Sequence, residues 1–402
     1  MAPVDIINRL VSIGPRNPGS AGEREAAGQL AEELRTLGRE ARVEPIRVRS
    51  TYHLTHALHA ALAVVGCVLS VRSPVLGTLI LLAVGVSMYG DLAARFYVLR
   101  LLTPRRSSQN VTSPGRRPDA PARLVLTAHY DAARSGLLYV RRKRPPGRIF
   151  QRLQTLAGPI DVVFWTVTVA LLLSVLRLFV DDSTLLTALQ FGAAVVLLTA
   201  VMLFVDVAIS DVVPGASDNA SGVATVLEVA RRLAANPTTY LDESIVFTGA
   251  KEGFMLGMRE WMRSHARDLD PRRTFFVNVD TVGSGSVRYV RAEGFMVLSQ
   301  HDARLVDLAH SIPQARPYVW RLGTDGVIPT AHGFASITVC CADQHGRIPN
   351  FHRASDSPEH IDPEAVENAI DFVEQLVRRM DAELIPKIIP SLEQRSDAEQ
   401  VT

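Results

Sequence analysis

The stretch Pro214-Gly215-Ala216-Ser217-Asp218-Asn219-Ala220-Ser221-Gly222 sets a carboxylate just ahead of a segment, 220–235, whose apolar residues recur at helical spacing. An aspartate in that place is ordinarily an N-cap. Four other short segments argue for more: His129-Tyr130-Asp131, Lys251-Glu252-Gly253, Asn278-Val279-Asp280, and His352 with Asp356. Each offers a metal-seeking side chain at a strand end or in a loop. Zinc accepts imidazole nitrogen and carboxylate oxygen, and a paired site is well served by a carboxylate that bridges both ions. Singly these segments are ordinary: His-x-Asp arises often by chance, and Glu252 and Asp280 read as solvated carboxylates at strand ends. In order, His129, Asp218, Glu252, Asp280 and His352 make a complete ligand set. Asp131 is spaced to accept the second N–H of His129 and so fix its tautomer.

Around these segments the chain alternates between two periodicities. Strand-like runs fall at 41–48, 123–128, 244–250, 274–280, 287–291 and 336–341, and helical patterns at 3–13, 20–37, 220–235, 256–268, 301–312 and 362–382. Near-continuous apolar strands alternating with helices predict an α/β fold, a largely parallel mixed sheet flanked by helices. In such sheets sites form at the carboxyl ends of the strands. His129, Glu252 and Asp280 each follow a strand run. Ser20-Ala21-Gly22-Glu23 reads as a capping box opening the second helix.

The composition adds a membrane component. Hydrophobic residues make up 47% of 402 residues, high for a soluble α/β protein, and they are concentrated. Apolar runs at 55–71 and 75–97 are split by Arg72-Ser73-Pro74, and runs at 160–180 and 184–210 by Asp181-Asp182-Ser183. Each approaches the ~20 residues that cross a hydrocarbon core, so two transmembrane helical hairpins, four segments in all, are expected. Asp91, Arg95, Asp161, Arg177 and Asp206 fall toward the run ends, where charge is tolerated. Basic residues crowd between the hairpins while the opposite turns hold only Arg72 and Arg177, which orients the polar body to the cytoplasm. An even number of crossings leaves every polar block on one side, so His129 and Asp218 can meet across the second hairpin. Arg141-Arg142-Lys143-Arg144, with Arg148 and Arg152, sits just before a membrane run, where anionic lipid headgroups are the natural partner. A net charge of +2 gives no reason to invoke nucleic acid. His53, His56 and His59 share a helix face and read as interfacial histidines rather than ligands. No secretory leader pattern is visible at Met1–Ile6. The three cysteines provide no disulfide framework, which fits a reducing compartment.

The ordered set resembles the co-catalytic zinc exopeptidases, a family that includes bacterial leucyl aminopeptidases, glutamate carboxypeptidase and the glutaminyl cyclases. Gly14-Pro15-Arg16-Asn17-Pro18-Gly19-Ser20 is similar to the family's opening phrase. Pro214–Gly222 matches its bridging-aspartate segment, and His352 through Asp362 its closing His-x-x-x-Asp-x-x-x-x-Ile-Asp pattern. The resemblance implies a zinc aminopeptidase-like fold and two zinc ions. One would be held by His129 and Asp280, the other by Glu252 and His352, with Asp218 bridging and Asp131 orienting His129. It also implies a peptide substrate. The hairpins stand outside the common soluble pattern, which makes this a membrane-anchored variant. The expected organisation is an N-terminal part of the peptidase-like domain (1–52), hairpin 1 (53–99), a peptidase-like segment with basic loops (100–158), hairpin 2 (159–210), the main peptidase-like part (211–385) and a disordered tail (386–402).

One position departs. The family phrase is Ala-Glu-Glu-x-Gly-Leu-x-Gly-Ser, its first Glu the general base and its second a ligand. This chain reads Ala250-Lys251-Glu252-Gly253-Phe254-Met255-Leu256-Gly257-Met258. Lys251 stands at the base position, and Phe254, Met255 and Met258 also differ. Two zinc ions nearby would push a lysine toward its neutral form, able to take a proton from water. The same lysine could instead pair with Asp218 or Glu252. Three readings therefore stay open: a metallopeptidase using Lys251 or another base, a peptidase-like module that binds without hydrolysing, and a glutaminyl cyclase-like acyl-transfer enzyme.

Overall fold

Successive residues of the central strands point to opposite sides of one sheet and enter two different cores. Leu124, Leu126, Ile245, Phe247, Phe275 and Val277 belong to one apolar cluster, while Val125, Val246 and Phe276 belong to another. The computed structural model describes residues 2–93, 95–140, 158–180 and 183–388. Among them, nine strands form the sheet: β1 (Arg42–Val48), β2 (Arg106–Ser113), β3 (Ala122–His129), β4 (Leu241–Thr248), β5 (Thr274–Val279), β6 (Ser286–Glu293), β7 (Ser299–Gln300), β8 (Arg316–Trp320) and β9 (Ala335–Ala342). The order is β1-β2-β4-β3-β5-β9-β6-β7, with β8 on β6. β4, β3, β5 and β9 run parallel, whereas β1, β2, β6 and β7 join antiparallel. The parallel part is thus the centre, the part buried on both faces.

One face is covered by α1 (Pro3–Ser12), α2 (Ala21–Thr36), α7 (Ser221–Ala235), α9 (Ala303–His310) and α11 (Pro363–Arg379). The other carries α8 (Leu256–His265) and α10 (Val327–Ala331), and its apolar cluster runs on without a break into four long helices. These are α3 (Tyr52–Arg72), α4 (Pro74–Leu92), α5 (Pro159–Leu176) and α6 (Thr184–Ile209). All four are long and apolar enough to cross a membrane. α6 has a mean hydropathy of 2.5 with only 28% of its most apolar window buried, so Leu189, Val195, Leu198 and Met202 face outward. An apolar surface of that extent calls for lipid or another apolar cover.

Inside the four-helix bundle, His53, His56 and His59 are buried on one face of α3. His59 bonds to Thr55 O (2.9 Å) and Ser87 Oγ (2.9 Å), and none of the three joins a metal-ligand group among the described residues. α4 stops at Leu92, earlier than the apolar run suggested. Asp91 there forms a buried pair with Arg100 (2.7 Å), and Arg100 also donates to Gly253 O (2.9 Å). That guanidinium ties the bundle to the loop carrying Lys251. The basic cluster Arg141–Arg144 with Arg148 and Arg152, the Asp181-Asp182 turn, and the tail beyond 388 lie outside the described residues. All three cysteines are free and buried.

Candidate metal centre

The sheet brings the ligand segments to one edge. His129 ends β3 and pairs with Thr248 of β4, while Thr127 pairs with Asn278 of β5, so His129 and Asp280 come out side by side. Asp218 lies ahead of α7, yet it does not cap that helix: neither carboxylate oxygen has a hydrogen-bond partner. Capping falls to Asn219, whose Oδ1 accepts from Gly222 N (3.1 Å) and Thr281 N (2.9 Å) while its Nδ2 donates to Val279 O (2.9 Å). A Cβ on Gly222 would lie 2.3 Å from Asn219 Oδ1 and 2.6 Å from Val279 O, so this close approach requires glycine.

All seven residues expected at the site converge. His129 Nε2 is 3.1 Å from Asp218 Oδ1 and 3.7 Å from Asp280 Oδ2. His352 Nε2 is 3.3 Å from Asp218 Oδ2 and 3.4 Å from Glu252 Oε2. The two Asp218 oxygens therefore face different neighbours. Ligand atoms of His129, Asp218 and Glu252 all lie within 4.8 Å of one another. His129 Nε2, both Asp218 oxygens, Asp280 Oδ2 and His352 Nε2 are buried without a hydrogen bond. Buried polar atoms are rarely left so. Five of them aimed at one space, from imidazole and carboxylate, fit a divalent cation of zinc's preferences.

Lys251 enters the same space. Its Nζ is 2.8 Å from Glu252 Oε1 and 3.6 Å from both Asp218 Oδ1 and Asp280 Oδ2. Burial by itself would lower the ammonium's pKa; the carboxylates of Asp218, Asp280 and Glu252 outweigh it and hold the group well above its ordinary value. Without metal, then, the surrounding carboxylates favour the ammonium form of Lys251. Burial likewise opposes ionisation of Asp218 and Asp280, but Lys251 and the histidines pull both below the usual carboxylate range. His129 is held well above its ordinary value, against burial and Lys251, by Asp280, Asp131 and Asp218.

Supporting groups fix the loops. His129 Nδ1 bonds to the backbone carbonyl of Asp131 (3.2 Å), with the carboxylate 3.4 Å away. The Asp131 carboxylate is occupied instead by the backbone N–H groups of Lys251 (3.1 Å) and Glu252 (2.8 Å). It thus orients the 251–252 loop as much as the imidazole. Asp356 accepts from Ser217 N (2.7 Å) and Asp218 N (3.1 Å); burial and Asp218 push it up to about 7. Arg16, fully buried, donates to Tyr130 O (3.1 Å) and Gly215 O (3.0 Å), joining the His129 and Asp218 loops. Glu23 does not complete the expected capping box. Ser20 caps Glu23 N, but the Glu23 carboxylate accepts from Gly19 N (2.7 Å), Ser108 Oγ (2.8 Å) and Ala250 N (2.9 Å).

Left-handed backbone clusters at the ligands: Ala250 (φ 51°), Phe254 (φ 87°), Met255 (φ 57°), Thr281 (φ 58°) and His352 (φ 54°). Such non-glycine residues cost on the order of 1–3 kcal/mol each and persist where the surroundings over-determine them. Phe254 stands where the family phrase carries glycine. Its ring is stacked on Phe295 (4.7 Å) and lies near Arg259 and Arg100 (5.2 and 5.6 Å), which holds the unfavourable backbone in place.

Several participants were silent in the sequence. Tyr139 lies against His352 with tilted rings (4.5 Å), and Gly136–Val140 carried no periodic signal. Thr324-Asp325-Gly326 reads from sequence as a simple turn or as part of a substrate-side loop; in the structure Asp325 is fully buried, bonded to Thr248 Oγ1 at the end of β4, and pushed by burial to about 7. β2 was missed because Arg106-Ser-Ser-Gln-Asn-Val-Thr-Ser is polar. Its Asn110 accepts from Gly249 N (3.1 Å) and donates to Gly257 O (2.9 Å), so polarity there serves the Lys251 loop.

Comparison with known proteins agrees with this geometry. Residues 201–377 match Peptidase family M28. The "Probable lipoprotein aminopeptidase LpqL" of Mycobacterium tuberculosis is 26% identical over 184 residues, 38% of this chain and 37% of that protein, so the match spans well under half of the relative's length. Among solved structures, a Zn-dependent exopeptidase from Parabacteroides distasonis superposes with a TM-score of 0.53 at 14% identity, covering 95% of this chain and 97% of that one. Tannerella forsythia glutaminyl cyclase gives 0.55 at 16%, covering 94% and 97%. At these identities the structures establish a shared fold. The segment similar to that family reaches from the last turns of α6 to α11 and so includes Asp218, Glu252, Asp280 and His352.

Proposed function

We propose that the protein is a membrane-anchored, zinc-dependent metallopeptidase of aminopeptidase type that hydrolyses peptides at a two-metal site. The observation that carries this reading is the set of buried, unbonded donor atoms on His129, Asp218, Asp280 and His352 around one space. In the proposal His129 and Asp280 hold one ion, Glu252 and His352 the other, and Asp218 is shared between them. The 3.1–3.7 Å contacts among their donor atoms support that division. Zinc bound there supplies Lewis-acid polarisation of a peptide carbonyl and activation of water. Asp131 holds the 251–252 backbone and Asp356 the 217–218 backbone, so the ligand carboxylates are pre-positioned. Lys251 occupies the place of the family's general base. Pairing with Glu252 Oε1 makes it compete with metal for that carboxylate, which favours a second reading, a domain that binds metal but hydrolyses slowly.

Four membrane-crossing helices and a cytoplasm-facing body complete the proposal, with anionic headgroups as partners of Arg141–Arg144. Elemental analysis of the purified protein, with unfolding midpoints measured with and without zinc, tests the metal. Retained zinc and a stabilisation of about 2.7 kcal/mol at a hundredfold excess over Kd are expected. Absence of both overturns the metal site. With zinc loaded, products from aminoacyl-coupled substrates and from N-terminal Gln peptides separate cleavage from cyclisation.

A further inference from the structure

Beside the metal centre lies an open cleft bordered by Lys251, Glu252 and His352, whose other walls are mainly apolar. Part of that wall does not belong to the peptidase body. Tyr52 and His53 come from the first turn of α3, Ile160 from the first turn of α5, and Phe204 from the last turns of α6. Each sits at the body-side end of a membrane-crossing helix. Phe254 and Phe295 supply the facing wall. Rings run from the metal centre to the bundle: Tyr139 beside His352, Tyr52 against Phe254 (5.5 Å), and Phe254 near His56 (6.0 Å), which in turn faces Phe204 (6.3 Å).

The rim points the same way. Leu101 and Leu102 after α4, Leu137 and Val140 after β3, Ile209 at the end of α6 and Val297 between β6 and β7 are all exposed. Two of the connections are fastened to the bundle: Leu137 N donates to Asp206 (2.6 Å) and Met296 N to Asp161 (2.8 Å). The exposed apolar rim therefore lies where hydrocarbon gives way to headgroups. The segment that departs from the family phrase is also the one that docks here, since Phe254, Met255 and Met258 belong to the apolar cluster shared with the bundle.

We propose that this cleft receives the long apolar limb of a bilayer-resident amide, which reaches the metal centre from the membrane rather than from water. The inference rests on the metallopeptidase reading for what happens to the amide, but not for the binding itself. The shared ligand chemistry is an amide with an apolar limb larger than one side chain, from either an acylated amine or an apolar peptide terminus. Entry from the bilayer spares that limb any passage through water, and the walls are mainly apolar, with Tyr52, His53 and Tyr139 the polar-tipped side chains among them.

Binding can be read without turnover. Trp320 lines the cleft, and the remaining tryptophans, Trp165 and Trp261, can be replaced by Phe. In nanodiscs the full-length Trp165→Phe/Trp261→Phe protein is titrated with N-dodecanoyl-alaninamide brominated along the chain. Saturable quenching of Trp320 by about twofold or more is expected, beyond that from brominated phosphatidylcholine at equal mole fraction. Competition by unbrominated acyl amide or by a trileucine peptide identifies the source of the limb. Adding Phe254→Gly, which removes a wall and relieves its backbone, weakens the quenching about tenfold in protein that still unfolds cooperatively, at a lower midpoint. Quenching no greater than the phospholipid control, or unchanged by Phe254→Gly, overturns the proposal. Saturable quenching without zinc-dependent hydrolysis leaves the cleft assigned and overturns only the peptidase reading.

Discussion

The two halves of the ligand cluster stand on different foundations. His129 and Asp280 leave adjacent parallel strands at the centre of the sheet, and their positions follow from register. Glu252 and His352 stand on loops at the border of the cleft, both flanked by left-handed residues and aromatic rings. The strand-end half is inherited from the architecture. The loop half is held by side chains that must be chosen one by one, and there this chain differs from the family phrase at 251, 254, 255 and 258. A sheet can keep its half of a metal site while the other half is reshaped for a new neighbour, in this case the helix bundle.

Lys251→Glu breaks the comparison most sharply. It removes the cation paired to Glu252 Oε1 and restores a carboxylate at the base position. Zinc-dependent hydrolysis should rise on the order of a hundred- to ten-thousand-fold. Without zinc the variant gathers another carboxylate beside Asp218, Asp280 and Glu252, so its unfolding midpoint should drop below wild type. Added zinc should raise it by more than it raises wild type. Rates on a chromogenic aminoacyl substrate and midpoints with and without zinc check both arms. Unchanged values in each would mean that Lys251 does not govern the loop half.

Neighbouring phenylalanines compare the two faces of the sheet on which the halves rest. Phe275 points to the body core, whereas Phe276 meets Trp261 (6.0 Å) and Phe334 (5.6 Å) on the bundle side. Either Phe→Ala change should cost about 3–5 kcal/mol, since each removes a fully buried ring. Only Phe276→Ala should shift the Trp261 emission, measured in a Trp165→Phe/Trp320→Phe background. Equal spectral effects would contradict the division into two cores.

The same contrast explains what could be read in the chain. Strand-end ligands were legible because apolar runs locate β3 and β5, and a polar residue just past each run stands out. The helices of the body and the four apolar runs were legible for the same reason. β2 was not, because Ser108, Gln109 and Asn110 face inward to bind loop groups instead of an apolar core. Glu23 resembled one half of a capping box; nothing local announces that its carboxylate reaches Ala250, 227 residues away. Asp91 and Arg100 read as separate charges near a run end, and only the fold makes them a buried pair. Long-range polar contacts leave no periodicity.

Glu23 tests the loop half through pH. Burial, then Asp131, pushes its carboxyl from 4.5 up to about 8, against the hydrogen bonds it accepts from Gly19, Ser108 and Ala250. A raised folded-state pKa means that the folded protein holds the proton more tightly than the unfolded chain. The associated stability is complete below about pH 4.5 and is lost as pH climbs toward 8, at up to about 1.4 kcal/mol per unit. Glu23→Gln should lack this slope. Urea midpoints of both proteins at several pH values give the difference, which should shrink steadily as pH rises. Parallel pH profiles would place the Glu23 titration elsewhere.

The smallest effect concerns the start of α2, from which Glu23 reaches across. Ser20 Oγ accepts from Glu23 N (3.0 Å), satisfying one of the free N–H groups of the first helical turn. Ser20→Ala should cost about 1 kcal/mol, as N-cap removal commonly does. Glu23 keeps its contacts with Gly19, Ser108 and Ala250 after that loss, so the loop half should stay in place. Zinc content should be unchanged while the unfolding midpoint falls by a few degrees. A fall in zinc content as well would mean that the Glu252–His352 half depends on α2 through its cap, a coupling that the strand-borne half, fixed by β3 and β5, has no route to share.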